Sequence, residues 1–110
     1  MGVRVWIVET LNSTVDGELE ALPQEMLARF WYIAGLIETM GLERLRGPHI
    51  DHLQGPLWEM RLKGRDGIAR AIYVTASGRR VVVVRVFIKK TQRTPRREIE
   101  LALKRAKDVR

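Results

Sequence analysis

The segment Val81–Ile88, VVVVRVFI, constrains the fold more than any other stretch of the chain. Apolar residues fill both alternating sets of positions, so a strand built from it buries both faces and belongs inside a sheet. Neighbours for it lie just upstream. LWEMRLKG, Leu57–Gly64, alternates: Trp58, Met60 and Leu62 take one face, and Glu59, Arg61 and Lys63 the other. RDG makes a hairpin turn into IARAIYVTA, Ile68–Ala76, where Arg70 shares a face with Ile68 and Ile72. SGRR then turns the chain into the valine run. Three consecutive strands in this order predict an antiparallel meander.

The first half reads differently. RVWIVE, Arg4–Glu9, is β-branched and aromatic and predicts an opening strand. In STVDGELEAL, Val15, Leu19 and Leu22 recur at helical spacing, which predicts a short helix despite Gly17. Pro23 opens a stronger helix that Gly41 closes. Its apolar positions make more than one stripe, Trp31 among them, so it is buried on most sides or partly covered by another chain. Leu42–Gly55 carries the turn pairs Gly47-Pro48 and Gly55-Pro56 without a clear period, and it reads as a loop. At the far end, Thr94 and Pro95 start a helix whose buried stripe is Ile99, Ala102, Leu103 and Ala106. The expectation is a single α+β domain over residues 1–110. It has a small antiparallel sheet (opening strand plus meander), N-terminal helices and a C-terminal helix. Helices cover one face, and the cationic side chains point to the other, partly open face.

Size and charge narrow the function. A chain of 110 residues with 45% apolar content and no cysteine suits one small soluble domain in a reducing compartment, the cytoplasm. No apolar run approaches the roughly 20 residues that span a bilayer, and no secretion leader is read at its start. No membrane role is expected. Residues 1–60 hold four basic groups against nine acidic, a balance of −5. Residues 61–110 hold sixteen basic against four acidic, a balance of +12. Charge added for solubility alone need not segregate by chain half, so a polyanion is the expected partner, nucleic acid first.

The residues also spell a resemblance. GPLWEMRL, then RAIYV, then VFIKKTQRTPRREIELALKRA, after a two-helix first half, resemble the phage-derived toxins of the HigB and RelE superfamily. The Lys-Lys-Thr-Gln-x-Thr-Pro segment with its downstream helix is the most distinctive part. The chain departs at Ala69, where an aromatic residue usually precedes the arginine, so Arg70 lacks a bulky neighbour. The resemblance implies a RelE-like fold and an endoribonuclease toxin that cleaves messenger RNA, commonly on the ribosome. It also implies an antitoxin partner, a helix-turn-helix DNA-binding protein, and no cofactor.

That chemistry can be set against the residues. Metal-free RNA cleavage uses the 2′-hydroxyl as nucleophile on the adjacent phosphodiester. The enzyme aligns the attack, neutralises the phosphorane and moves two protons. Arg61 and Arg70 are the candidates for charge, because a guanidinium is always protonated and its fork matches two phosphate oxygens. Lys89 and Lys90 are the candidates for proton transfer, since cationic neighbours push a lysine down from about 10.4. Adjacent strand residues point opposite ways, so one lysine faces the site and the other reaches a backbone phosphate. Lys63, Arg65, Arg93, Arg96 and Arg97 are expected to hold RNA or ribosome backbone. Arg85, set among valines, is expected to face an anion, and Phe87 offers a ring either to the core or to a base. Glu59 is expected to pair with Arg61 or to act as a base held ionised by cations. His49 and His52 lie three apart without a patterned third ligand, so no metal site is read there. Two rival readings remain at this stage: a gyrase-inhibiting toxin of the same fold, and a plain RNA-binding module.

Overall fold

In the computed structural model, which describes residues 5–45 and 47–110, the valine run forms a strand with a neighbour on each side. The elements in chain order are β1 Ile7–Thr10, α1 Ser13–Glu20, α2 Gln24–Met40, a 3₁₀ turn at Leu42–Arg44, and β2 Ile50–Gln54. They continue with β3 Leu57–Gly64, β4 Gly67–Ala76, β5 Arg80–Lys89 and α3 Arg96–Ala106. The sheet has five strands in the order β1-β5-β4-β3-β2. The β3-β4-β5 meander is antiparallel as expected, and the class is α+β. Helix starts follow their local chemistry. The Asn12 side chain accepts the Val15 N–H at 3.1 Å ahead of α1, and α2 ends on Gly41, whose φ of +92° an L side chain rarely adopts.

Three details differ from the sequence reading. The opening strand sits at Ile7–Thr10, later than Arg4–Glu9, and it runs parallel to β5, so the sheet is mixed. Arg4 lies outside the described residues. The segment read as a loop contains β2, an edge strand paired antiparallel with β3. Its register shifts between His52 and Gln54, which breaks the alternation that would have marked it. Helices also lie on both faces. Val15, Phe30, Ile33 and Ile37 of α1 and α2 pack on Met60, Leu62, Ala71, Tyr73, Val81 and Val83. On the other face α3 brings Ala102 against Leu57, Ile72, Val74, Val82 and Val84. Two covering layers are what a strand apolar on both sides demands, each buried aliphatic side chain contributing roughly 1.5–3 kcal/mol. Helix α3 covers only one end of its face and leaves the Arg61–Arg70 end open.

One extra residue in β5 decides what lies at that open end. Ile72 pairs with Arg85 and Tyr73 with Val83, so Val84 has no partner on β4. Such a bulge changes which face later residues take. Val82 and Val84 face α3; beyond the bulge the odd-numbered Arg85, Phe87 and Lys89 take that face. The bulge is held by charged side chains. Arg105 of α3 donates to the Val84 carbonyl at 2.9 Å, and Glu18 of α1 accepts the Val86 N–H at 3.1 Å. Arg105 and Glu18 pair at 2.9 Å, and Arg85 joins Glu18 at 2.8 Å and Glu98 at 2.7 Å. These four side chains tie α1, β5 and α3 into one network and occupy backbone groups the ladder leaves free.

Glu18→Ala or Arg105→Ala is therefore expected to destabilise the fold by about 2–4 kcal/mol, well above the value of an exposed pair. The double variant is expected to lose clearly less than the sum. Urea denaturation of the four proteins measures both, and strictly additive losses below about 0.5 kcal/mol each would contradict the network.

Candidate active site

The sheet register brings the candidate side chains together in rows. Arg61 on β3 pairs with Arg70 on β4, and Arg70 pairs with Phe87 on β5. In the next row Lys63, Ile68 and Lys89 are partners across the same strands. Directly opposed residues share a face with Cβ atoms about 4.5–5.5 Å apart, so Arg61, Arg70 and Lys89 crowd one patch. They line an open cleft of about 700 Å³ together with Lys90, Thr91 and Gln92. A second groove of about 580 Å³ adjoins it at Lys90 and Thr91 and runs past Arg93, Arg96 and Arg97 at the start of α3.

Like charges this close need counter-ions, and the protein supplies two. Arg61 forms an ion pair with Asp51 of β2. Arg70, 6% exposed, is paired through Nη1 with Glu59, itself 3% exposed. The second Glu59 oxygen accepts a hydrogen bond from the Thr94 hydroxyl at 3.0 Å. The Nε groups of Arg61 and Arg70 are buried and make no hydrogen bond. A buried N–H without a partner costs about 1–3 kcal/mol. Burial pushes the Arg70 guanidinium down from its ordinary value, with Asp51 opposing that push. Burial, then the charges of Arg70 and Arg61, push the Lys89 ammonium down as well. Protonated Lys89 therefore opposes folding at neutral pH, and stability rises as pH climbs from the folded value toward the unfolded one.

The structure corrects several expectations for single residues. The anion that Arg85 faces is the protein's own, since its guanidinium is taken by Glu98 and Glu18. The Phe87 ring packs in the core beneath Arg85, whose guanidinium lies 5.8 Å from the ring centre, and the residue is nearly buried where it borders the adjoining groove. Glu59 pairs with Arg70 and not with Arg61. Thr94 gives its hydroxyl to Glu59 and does not cap α3, which begins at Arg96. Arg65 sits in the β3–β4 turn, where Glu25 of α2 holds both its backbone N–H and its guanidinium. Neither Arg65 nor Lys63 lines the cleft or the adjoining groove. Ala69 is fully buried on the α2 side, so its small size shapes the core and not the cleft wall. Neither His49 nor His52 lines the cleft; their rings lie against Tyr32 and Trp58, although the His49 carbonyl accepts the Arg61 backbone N–H at 2.9 Å. Asp51 was missed, because the strand that carries it was read as a loop.

Changing Arg61→Gln removes one of the charges that depress Lys89 and leaves Asp51 nearby, so the lysine is expected to titrate higher than in the wild type. NMR titration of the Lys89 side chain measures this, and an unchanged or lower midpoint would contradict a depression of Lys89 by Arg61.

Comparisons with known proteins fit this architecture. The family described as phage-derived protein Gp49-like matches residues 17–107. Among solved structures, a chain of the archaeal RelE-RelB complex from Pyrococcus horikoshii OT3 superposes with a TM-score of 0.60. It is 19% identical, and the alignment covers 77% of this chain and 96% of that one. That likeness concerns the fold. No curated protein matches the sequence.

Proposed function

The chain belongs to the phage-derived Gp49-like family, and we propose that it is the toxin of a toxin–antitoxin pair, an endoribonuclease that cleaves messenger RNA on the ribosome without a metal ion. The observation that supports this reading is the row of Arg61 and Arg70, flanked by Lys89, all three lining one open cleft. The RNA 2′-hydroxyl attacks the adjacent phosphorus in line, and the bond to the 5′-oxygen of the next nucleotide breaks. A cyclic phosphate and a 5′-hydroxyl result. Arg61 and Arg70 meet the charge that grows on the non-bridging oxygens. Lys89, whose affinity for its proton is lowered, exchanges protons with the reacting oxygens. Lys90, Arg93, Arg96 and Arg97 carry flanking phosphates along the adjoining groove.

The inhibiting partner is a helix-turn-helix antitoxin. Trp31, 60% exposed, and Tyr32 on the outer side of α2 are the surface it covers. The structural neighbour comes from a RelE-RelB complex, which is consistent with a partnered toxin.

Arg70→Ala is a poor test, because it strands the buried Glu59 carboxylate. Lys89→Ala and Arg61→Ala are cleaner. Each is expected to keep the wild-type melting temperature within a few degrees, slow RNA cleavage by about 10²–10³-fold and relieve growth arrest. Sequencing of RNA ends after induction is expected to show new 5′-hydroxyl termini with the wild type only. Growth arrest without such termini would point to gyrase binding instead, and salt-dependent binding of intact RNA to a plain binding module.

A further inference from the structure

Glu59 has the wrong surroundings for a base and the right ones for a clamp. It is 3% exposed, and both carboxylate oxygens are engaged, one by the Arg70 guanidinium and one by the Thr94 hydroxyl. A general base needs a lone pair open toward the hydroxyl it deprotonates. Arg70 depends on this contact for its direction: of its donors, Nη1 is held by Glu59, and Nε is left buried and unpartnered in a residue lining the cleft. Thr94 adds a second link. It lies in the segment between Lys90 and Arg97 that lines the adjoining groove, so the Glu59 carboxylate stands between that groove and Arg70.

We propose that Glu59 is a positioning residue that holds the Arg70 guanidinium at the cleft wall toward the scissile phosphate, and that Thr94 couples this hold to the RNA-gripping segment ahead of α3. The inference rests on the cleavage reading above and deepens it. A buried ion pair contributes little net stability over an apolar pair of the same shape, so a purely structural role would be met equally well by apolar residues. A positioning role would not, since a guanidinium displaced by about 1 Å can lose about 10²-fold in rate.

Three variants and two readouts test it. For Glu59→Gln, whose amide oxygen still accepts from Arg70, kcat is expected to fall about tenfold with KM unchanged and the acid side of the pH–rate profile unmoved. Glu59→Leu is expected to lose about 10²–10³-fold, again in kcat. Thr94→Val leaves the ion pair intact and keeps the fold testable should Glu59→Leu fail to fold; its kcat is expected to drop about threefold to tenfold. The second readout needs no catalysis: the Arg70 Nε–H resonance is expected to be sharp in the wild type and broadened in Thr94→Val. Glu59→Gln as inactive as Glu59→Leu, with the acid limb abolished, would make Glu59 the base and overturn the proposal. An Arg70 resonance unaffected in Thr94→Val would overturn the coupling. A wild type that cleaves no RNA would remove the cleavage reading, and the resonance would still decide whether Glu59 and Thr94 hold Arg70.

Discussion

The bulge at Val84 is the constraint on which the rest depends. Without it, the ladder of β4 and β5 would run in simple alternation and Val82, Val84, Val86 and Ile88 would share one face. Arg85 and Lys89 would then turn toward the apolar layer under α1 and α2, where an unpaired charge costs several kcal/mol. With it, an apolar half-strand and a cationic half-strand both take the face of α3. Four consecutive valines tolerate the extra residue because any of them fits either buried face. Glu18 and Arg105 then fix its place by binding the backbone on either side of Arg85. The acid comes from the first helix and the base from the last, so the geometry of the cleft depends on both ends of the chain.

Charge at the open end follows the same economy. Three cations on neighbouring strands repel, and two carboxylates from β2 and β3 keep the arrangement tolerable. Each acid engages the far end of a guanidinium and holds it in place at the cleft. The result is a set of donors oriented before any ligand arrives, in a partly desolvated place where an electrostatic contact is stronger than in water. The depressed proton affinity of Lys89 is a by-product of the same crowding.

Much of this was legible in the sequence where the signal was local. The short turn between Gly64 and Gly67 sets the β3–β4 register, and that register already opposes Arg61 to Arg70. The alternation of LWEMRLKG likewise put Glu59 on the Arg61 face. What the sequence did not disclose needed long-range geometry. The edge strand β2 hides behind an irregular register, so Asp51 was not seen as a counter-ion. The parallel pairing of β1 with β5 joins residues more than seventy positions apart and has no local signature. Arg85 looked like a charge awaiting a foreign anion, because Glu18 and Glu98 reach it only once α1 and α3 are packed. Thr94 resembled a helix cap in its local context, and its actual partner lies thirty-five residues away.

The central claim is that Arg61, Arg70 and Lys89 converge on a single phosphate. A crystal structure of the protein with a short RNA carrying a 2′-O-methyl group at the cleavage position tests this most directly. The account predicts one phosphate within about 2.7–3.2 Å of both guanidinium groups and the lysine ammonium. A phosphate backbone running along the α3 groove and touching none of the three would contradict it.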